Sequence, residues 1–394
     1  MSTLKVDAIR HNSATSDAIT TASDGTCTAR ITGMTGGGQL SHRNIIINGD
    51  MRVAQRGVTS TVSGYGSVDR FRLMFGGQDE ALTQAQHTLS TSDTPYSLGF
   101  RYSFHITNGN QTSGAGGTDY AQLLTTIEAQ DIASSGWNYT SSSSFITLSF
   151  WVKSSVAQNF YGAVRTQDGT VRSFPFETGS LTANTWKKVI IKIPGDSSNT
   201  FNNDSGSGLQ IFMWAFRGTD YTGSVTLNQW NTWNTPTGTP DFTSTWWTTN
   251  DATLEFTGYQ LEVGDTATSF EFRNTSEELA RCQRYYYRIS ADSAGQGFGM
   301  GYQMTGSAAK ILINLPVTMR AKATAVETSG TASDYSVART STYEVCNAVP
   351  TFANATIYAV QVNTNQTQAS ISTGQSVLLR SHSANFFLGF SAEL

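Results

Sequence analysis

Four tryptophans crowd one stretch of the chain, NQWNTWNTPTGTPDFTSTWW, residues 228–247. It carries Pro236, Gly238 and Pro240 and shows little periodicity. Long connections of this kind are functional or disordered as a rule, and four indoles speak against disorder. Trp230, Trp233, Trp246 and Trp247 could form a platform on which the apolar C–H faces of a pyranose lie. Asn228, Gln229, Asn231 and Asn234 could then hydrogen-bond the hydroxyls. The same rings could instead pack beneath the loop, or between subunits, as a satellite core. The residues alone leave both readings open.

Other groups with chemical potential are weaker. In the loop GDSSNTFNNDSGSG, residues 195–208, Asp196, Asn202, Asn203 and Asp204 could offer oxygens to Ca²⁺. The spacing is not that of an EF-hand, and such loops are ordinary turn chemistry. No metal and no cofactor is therefore expected. A glycan depolymerase needs two carboxylates roughly 5–10 Å apart across a cleft. The neighbours available are Asp79 with Glu80, Glu128 with Asp131, and Glu271 with Glu277. Each reads more simply as a solvated loop charge or a helix-start charge. The histidines (His11, His42, His87, His105, His382) are scattered, and neither GxSxG nor HExxH occurs. Cys27, Cys282 and Cys346 form no CxxC or Cys/His cluster and read as small buried hydrophobes. The expectation is a protein that is not an enzyme.

Composition narrows the class. A chain of 394 residues suits two or three domains with real cores. Charged residues make up only 14%, while β-branched and aromatic residues are plentiful, which favours β-sheet over helix or disorder. A formal net charge of −4 offers nucleic acid no basic face. No run of about 18 apolar residues occurs, so no membrane-spanning helix is expected. The opening residues MSTLKVDAIRHNS lack an apolar signal core, so synthesis in a cytoplasm without an export signal is expected.

The elements that must hold these groups read as all-β. Residues 1–43 are small and polar, with Val6, Ile9, Ile19 and Ile31 too few to build a core in one chain. We expect an intertwined β stem in which three copies share those residues along an axis; a disordered tail is the alternative. Gly36, Gly37 and Gly38 would then be a hinge. Residues 44–273 read as a jelly-roll β-sandwich. Tyr102, Phe104 and Ile106 alternate with polar neighbours, as do Ile146, Leu148, Phe150 and Val152, and Val189, Ile191 and Ile193. Residues 209–216, LQIFMWAF, are apolar on both faces, as a covered central strand would be. Residues 289–394 read as a smaller C-terminal β-domain, with strands around Ile311 and Ile313, Val360 and Val362, and Leu388 and Phe390.

Between these domains lies the stretch 254–288, LEFTGYQLEVGDTATSFEFRNTSEELARCQRYYYR. Leu254 and Phe256 hold one phase of a strand; Tyr259, Leu261 and Val263 hold the other. The slip at Gly258 predicts a β-bulge. Thr275 and Glu278 read as a capping box, with Leu279, Cys282 and Tyr286 following at helical spacing. A linking helix is expected over 274–288, with those three residues forming the domain junction.

From Thr257 to Arg288 that stretch resembles the segment that ends the jelly-roll domain of many bacteriophage tail-fibre and virion-appendage proteins. The family pattern runs from an ITGVQLEVG-like strand through an ATPFE-like run to EELxxCQRYY. NIIINGDMRVAQRG (residues 44–57), VDRF (residues 68–71) and LPVTMRAKAT (residues 315–324) extend the resemblance upstream and into the last domain. Tyr259 stands where the pattern usually has an aliphatic residue, and Ser269 where it often has Pro. The resemblance implies a fold related at its core to carbohydrate-binding jelly rolls. It also implies a homotrimeric fibre on the virion, docked through its N-terminus to tail or portal-proximal proteins and adhering to host surface polysaccharide. No nucleic-acid or membrane partner is expected. A purely structural role, decorating the capsid or connecting tail parts, is the main alternative, and a depolymerase a lesser one.

Overall fold

A computed structural model describes residues 6–10, 13, 19–21, 23, 27–29, 42–339, 342–366 and 372–394. The expected stem residue Ile31 and the glycine hinge at 36–38 lie outside the described residues. Near the N-terminus, β1 (Ala8–Ile9), β2 (Ile19–Thr21) and β3 (Cys27–Ala29) form a small antiparallel sheet, with Ile9 opposite Ile19. Val6 and Ile9 are 41% and 55% exposed there, and Ile19 is half-buried.

The central domain is a sandwich of two six-stranded sheets. Its strands in chain order are β4 (Thr59–Ser60), β5 (Phe71–Gly76), β6 (Thr83–Thr88), β7 (Tyr102–Thr107), β8 (Tyr120–Glu128) and β9 (Phe145–Ser154). Then come β10 (Tyr161–Thr166), β11 (Arg172–Glu177), β12 (Lys187–Pro194), β13 (Ser207–Arg217), β14 (Asn231–Thr232) and β15 (Thr253–Val263). The first sheet is ordered β14-β11-β10-β13-β8-β5 and the second β12-β9-β15-β7-β6-β4. Alternation sends Leu73, Leu123, Val164, Phe174, Ile211 and Met213 inward from the first. Phe104, Ile106, Leu148, Phe150, Leu254 and Phe256 meet them from the second. Each such side chain contributes about 1.5–3 kcal/mol on burial, which is why the pattern dictates which face is inside.

The slip in β15 is a bulge: Thr257 pairs with Trp151 and Gln260 with Ser149, with Gly258 at φ +67° between them. A positive φ suits glycine. The bulge returns Tyr259 and Leu261 to the core, where Tyr259 stacks on Phe150 at 4.8 Å.

Short helices α1 (Thr94–Ser97), α2 (Ala129–Ala133) and α3 (Thr245–Thr248) sit at strand ends. The linking helix α4 (Thr275–Gln283) is shorter than the span 274–288 expected. Asn274, not Thr275, caps it, its side chain accepting from the Glu277 amide at 2.8 Å. Glu278 turns inward instead, where Arg273 and the Asn48 amide meet its carboxylate. Leu279 is half-buried and Cys282 fully buried on the helix. Tyr286 lies beyond it, on β16 (Tyr286–Ser290), because the chain leaves the helix to pair with the C-terminal strand.

The last domain is a closed antiparallel barrel of β17 (Gly297–Thr305), β18 (Ala308–Asn314), β20 (Tyr335–Ala338), β21 (Tyr343–Ala355), β22 (Ala359–Gln366) and β23 (Ser376–Ser381). Beside it, β16 and β19 (Glu327–Thr328) flank β24 (Phe387–Ser391). The segments that carry the phage resemblance converge where the two domains meet. Arg56 and Arg70 both pair with Glu393, and their guanidiniums lie 3.4 Å from the ring centroids of Tyr286 and Tyr285. Gln55 donates to the Tyr286 carbonyl, Arg284 forks onto Glu128 at 2.8 and 2.9 Å, and Arg320 reaches the Ala392 carbonyl. Those motifs hold one domain to the other.

Candidate functional site

Strand β13 makes the site. Its inward residues Leu209, Ile211 and Met213 belong to the core, while Phe212 and Trp214 point outward beside Leu124 and Ala163. A bulge at Ala215 then inserts one residue: Trp214 pairs with Gln122, Phe216 with Ala121 and Arg217 with Tyr120. Without the insertion Arg217 would fall on the core face. With it, Trp214 and Arg217, three apart, share the outer face with Gln122 and Tyr120. Arg165, on the adjacent β10, pairs with Gln210 and faces the same way. Apolarity on both sides of LQIFMWAF therefore has two causes, as a covered central strand requires: one face is core, and on the other Phe212 and Trp214, 3% and 2% exposed, are covered by Arg165, Arg217 and Trp233, which line a cleft above them.

The edge strand β14 supplies the wall. Asn231 pairs with Ser173. Alternation puts Trp233 on the outer side and Trp230 on the inner. Trp230 packs edge-on against Phe174 at 5.6 Å and donates to the Pro194 carbonyl at 2.7 Å. Trp246 and Trp247 sit on α3 and are fully buried. Their indoles donate to the carbonyls of Thr253 and Gly114, and Trp247 stacks on Phe216 at 5.2 Å. Neither presents a face to a ligand. Of the four indoles, Trp233 alone reaches the cleft. Asn231 turns its amide to the Thr226 and Gln229 carbonyls, and Asn234 is exposed next to Trp233.

The cleft encloses about 220 Å³ and is lined by Tyr120, Gln122, Arg165, Phe212, Trp214, Arg217, Tyr221, Trp233 and Thr235. Phe212 and Trp214 lie parallel, 5.2 Å apart, and the Trp214 indole donates to Gln122 Oε1 at 2.9 Å. The Arg165 guanidinium stands 4.5 Å from the Phe212 centroid and 4.7 Å from that of Trp233. Arg217 lies 4.9 Å from Trp214, 5.3 Å from Trp233 and 5.6 Å from Tyr221. Arg165 donates to Gln210 Oε1 at 2.7 Å and Arg217 to the Thr235 carbonyl at 3.2 Å. Arg165 Nε and Arg217 Nη1 are buried without a hydrogen-bond partner. Neither arginine forms an ion pair among the described residues. Burial first, and then a neighbouring guanidinium (Arg72 for Arg165, Arg165 for Arg217), pulls both down to about 10. Both stay charged at neutral pH. Sequence reasoning passed over Arg165, Arg217, Trp214, Tyr120 and Tyr221. The available signal was a charged residue closing a strand apolar on both faces.

Most of the remaining groups have local structural partners. Asp196 receives the Ser198 amide and Arg172, and Asp204 the Gly206 amide. Asp79 takes Thr112 and Ser113, Glu80 the Asn110 amide, Glu128 Arg284 and Tyr285, and Glu271 the Asn44 amide. Cys282 and Cys346 are buried, and burial pushes both thiols up, Cys346 to about 12. The side chain of Cys27 lies outside the described residues. On the outer face of the second sheet, His87, His105 and Glu255 bring one ligand atom each within 4.8 Å of one another. The Lys153 ammonium, 2.8 Å from Glu255, already occupies the position of positive charge.

No protein-family model and no curated protein matches the chain. Several solved structures do. The CBM22-1–GH10 modules of Clostridium thermocellum endo-1,4-β-D-xylanase 10B, complexed with xylohexaose, are 9% identical over 56% of this chain and 30% of that one, with a TM-score of 0.26. A family 30 carbohydrate-binding module is 12% identical over 61% of this chain and 96% of its own, TM-score 0.27. The N-terminal cellulose-binding domain of Cellulomonas fimi β-1,4-glucanase C is 9% identical over 55% and 99%, TM-score 0.25.

Proposed function

We propose that this chain is a non-enzymatic adhesin that binds glycan in the cleft on the outer face of the first sheet. The observation that carries the reading is the cleft itself: rings of Trp233, Tyr120 and Tyr221 standing half-buried at a solvent-facing surface, with hydrogen-bonding side chains between them. Aromatic faces suit the C–H side of a sugar ring, and a few placed polar groups fix its orientation. A concave face of about 220 Å³ suits a sugar unit or two of a longer chain.

In this reading the protein is a virion appendage of a bacteriophage, a homotrimeric tail fibre, as the resemblance of residues 44–57 and 257–288 implies. The short N-terminal sheet leaves Val6 and Ile9 exposed in a single chain, surface that two further copies would cover. Three weak sites on one fibre, and several fibres on one particle, give avidity that one cleft does not supply. Binding of host-surface polysaccharide to the isolated protein, measured against Trp233→Ala, tests the reading. Loss of binding in a variant of unchanged melting temperature is expected. Undiminished binding moves the glycan site elsewhere. Absence of binding by the unaltered protein favours the purely structural role, and release of soluble oligosaccharide favours the depolymerase.

A further inference from the structure

We propose that the sugar this cleft takes is acidic: a carboxylate-bearing pyranose whose ring lies on Trp233 and whose carboxylate is held by Arg165 and Arg217. The inference rests on the glycan reading above and sharpens it. All nine residues lining the cleft are neutral or arginine, in a chain whose net charge is −4. Both guanidiniums lie over one indole, at 4.7 and 5.3 Å from its centroid, and over the floor rings of Phe212 and Trp214 at 4.5 and 4.9 Å, so a ligand that reaches that indole meets two cations. Arg72 adds a third positive charge on the outer face of the same sheet, pairing with Leu124, which pairs in turn with Phe212.

Such an arrangement is costly when empty. Buried cations are normally paired with carboxylates, and the most enclosed arginines of this protein include such pairs: Arg70 and Arg56 with Glu393 and Arg273 with Glu278. Arg217 is as buried and Arg165 half-buried, neither has a counter-ion among the described residues, and each keeps a buried N–H without a partner. The aromatic rings around them offset part of the cost. A neutral sugar would leave the two like charges unneutralised and further desolvate them. A carboxylate neutralises them and matches the planar fork of a guanidinium. A nucleic-acid strand also stacks bases on aromatics between arginines. The acidic balance of the whole chain counts against it.

The test is titration calorimetry of the full chain with oligouronates of several stereochemistries (galacturonate, glucuronate, mannuronate and guluronate), with the methyl ester of each, and with oligothymidylate. At least one acid should bind about tenfold or more tightly than its ester, which carries a methyl group in place of the charge. Its affinity should fall with added salt while that of the ester does not. Arg165→Gln and Arg217→Gln should each weaken the acid more than the ester and so bring the acid-to-ester ratio towards one, whereas Trp233→Ala should weaken both and leave the ratio. Near-ultraviolet circular dichroism confirms that each variant is folded, and the salt dependence tests the charge without any variant. Equal affinity for acid and ester, or binding of neutral glycans alone, overturns the acidic preference and leaves the glycan reading standing. Tight oligothymidylate binding with no sugar binding overturns both, as does failure of every sugar, acidic and neutral.

Discussion

At the scale of residues, tryptophans that look equivalent in the sequence separate into two kinds. Trp246 is enclosed and hydrogen-bonded through its indole to Thr253, so Trp246→Ala should cost about 3–5 kcal/mol of stability. Trp233→Ala should cost under about 1 kcal/mol and weaken ligand binding strongly, since its ring is half-buried at the surface. Paired urea unfolding and binding measurements check the contrast; equal destabilisation would place Trp233 in the core. Gly238 offers a finer probe. A methyl group there would come within 2.7 Å of the Trp233 ring and 2.5 Å of Arg217 Nη1. Gly238→Ala should displace both and weaken binding several-fold while moving the melting temperature by no more than about 2–4 °C, the equivalent of about 1 kcal/mol.

At the scale of elements, two features can be read as energetics. On the outer face of the second sheet, burial works to raise the Glu255 carboxyl, but His105 and Lys153 overcome it and hold the group at about 2. An acid whose folded value is depressed contributes its full stability above its ordinary value near 4.5 and loses it as the pH falls through 4.5 towards 2. Lys153→Met should therefore destabilise the protein at pH 7, and the gap to the unaltered chain should narrow over that window. A gap that stays constant with pH would remove the assignment. At the domain junction, Tyr286 is fully buried, bonded through its hydroxyl to Glu327 at 2.7 Å and stacked under Arg56. Tyr286→Phe should cost about 1–2 kcal/mol through the lost charged hydrogen bond. Tyr286→Ser should cost more, through the cavity it leaves. Unchanged unfolding midpoints would contradict the coupling of helix and barrel.

The same scale shows what was legible beforehand. The alternation of Ile146 to Val152 and the slip at Gly258 specified strands and a bulge, because a period of two admits one face to the core. The helix end was misplaced because Tyr286, at helical spacing from Cys282, is recruited by pairing with Ser391, more than a hundred residues away. The cleft was hidden for a related reason. Whether Trp214 and Arg217 share a face depends on one inserted residue, Ala215, and on the partner strand that registers it. Apolar residues on two faces say that both are covered, but not that one cover is a layer of arginines and a tryptophan at the surface.

For the whole molecule, the segments that resemble phage appendage proteins and the cleft do different work. The former lock the sandwich to the barrel through Arg56, Arg70, Glu393 and Tyr286; the latter opens on the outer face of one sheet. If the N-terminal sheet is a shared stem, light scattering should give three times the chain mass for the full protein and the single-chain mass for one beginning at Asn44. A full-length monomer would sink the fibre. The most direct test of the central claim is a crystal structure of the full chain with an acidic oligosaccharide that binds in solution. The account predicts a sugar ring against Trp233 with its carboxylate between Arg165 and Arg217. Density for the ligand on the barrel, or on the second sheet, would contradict it.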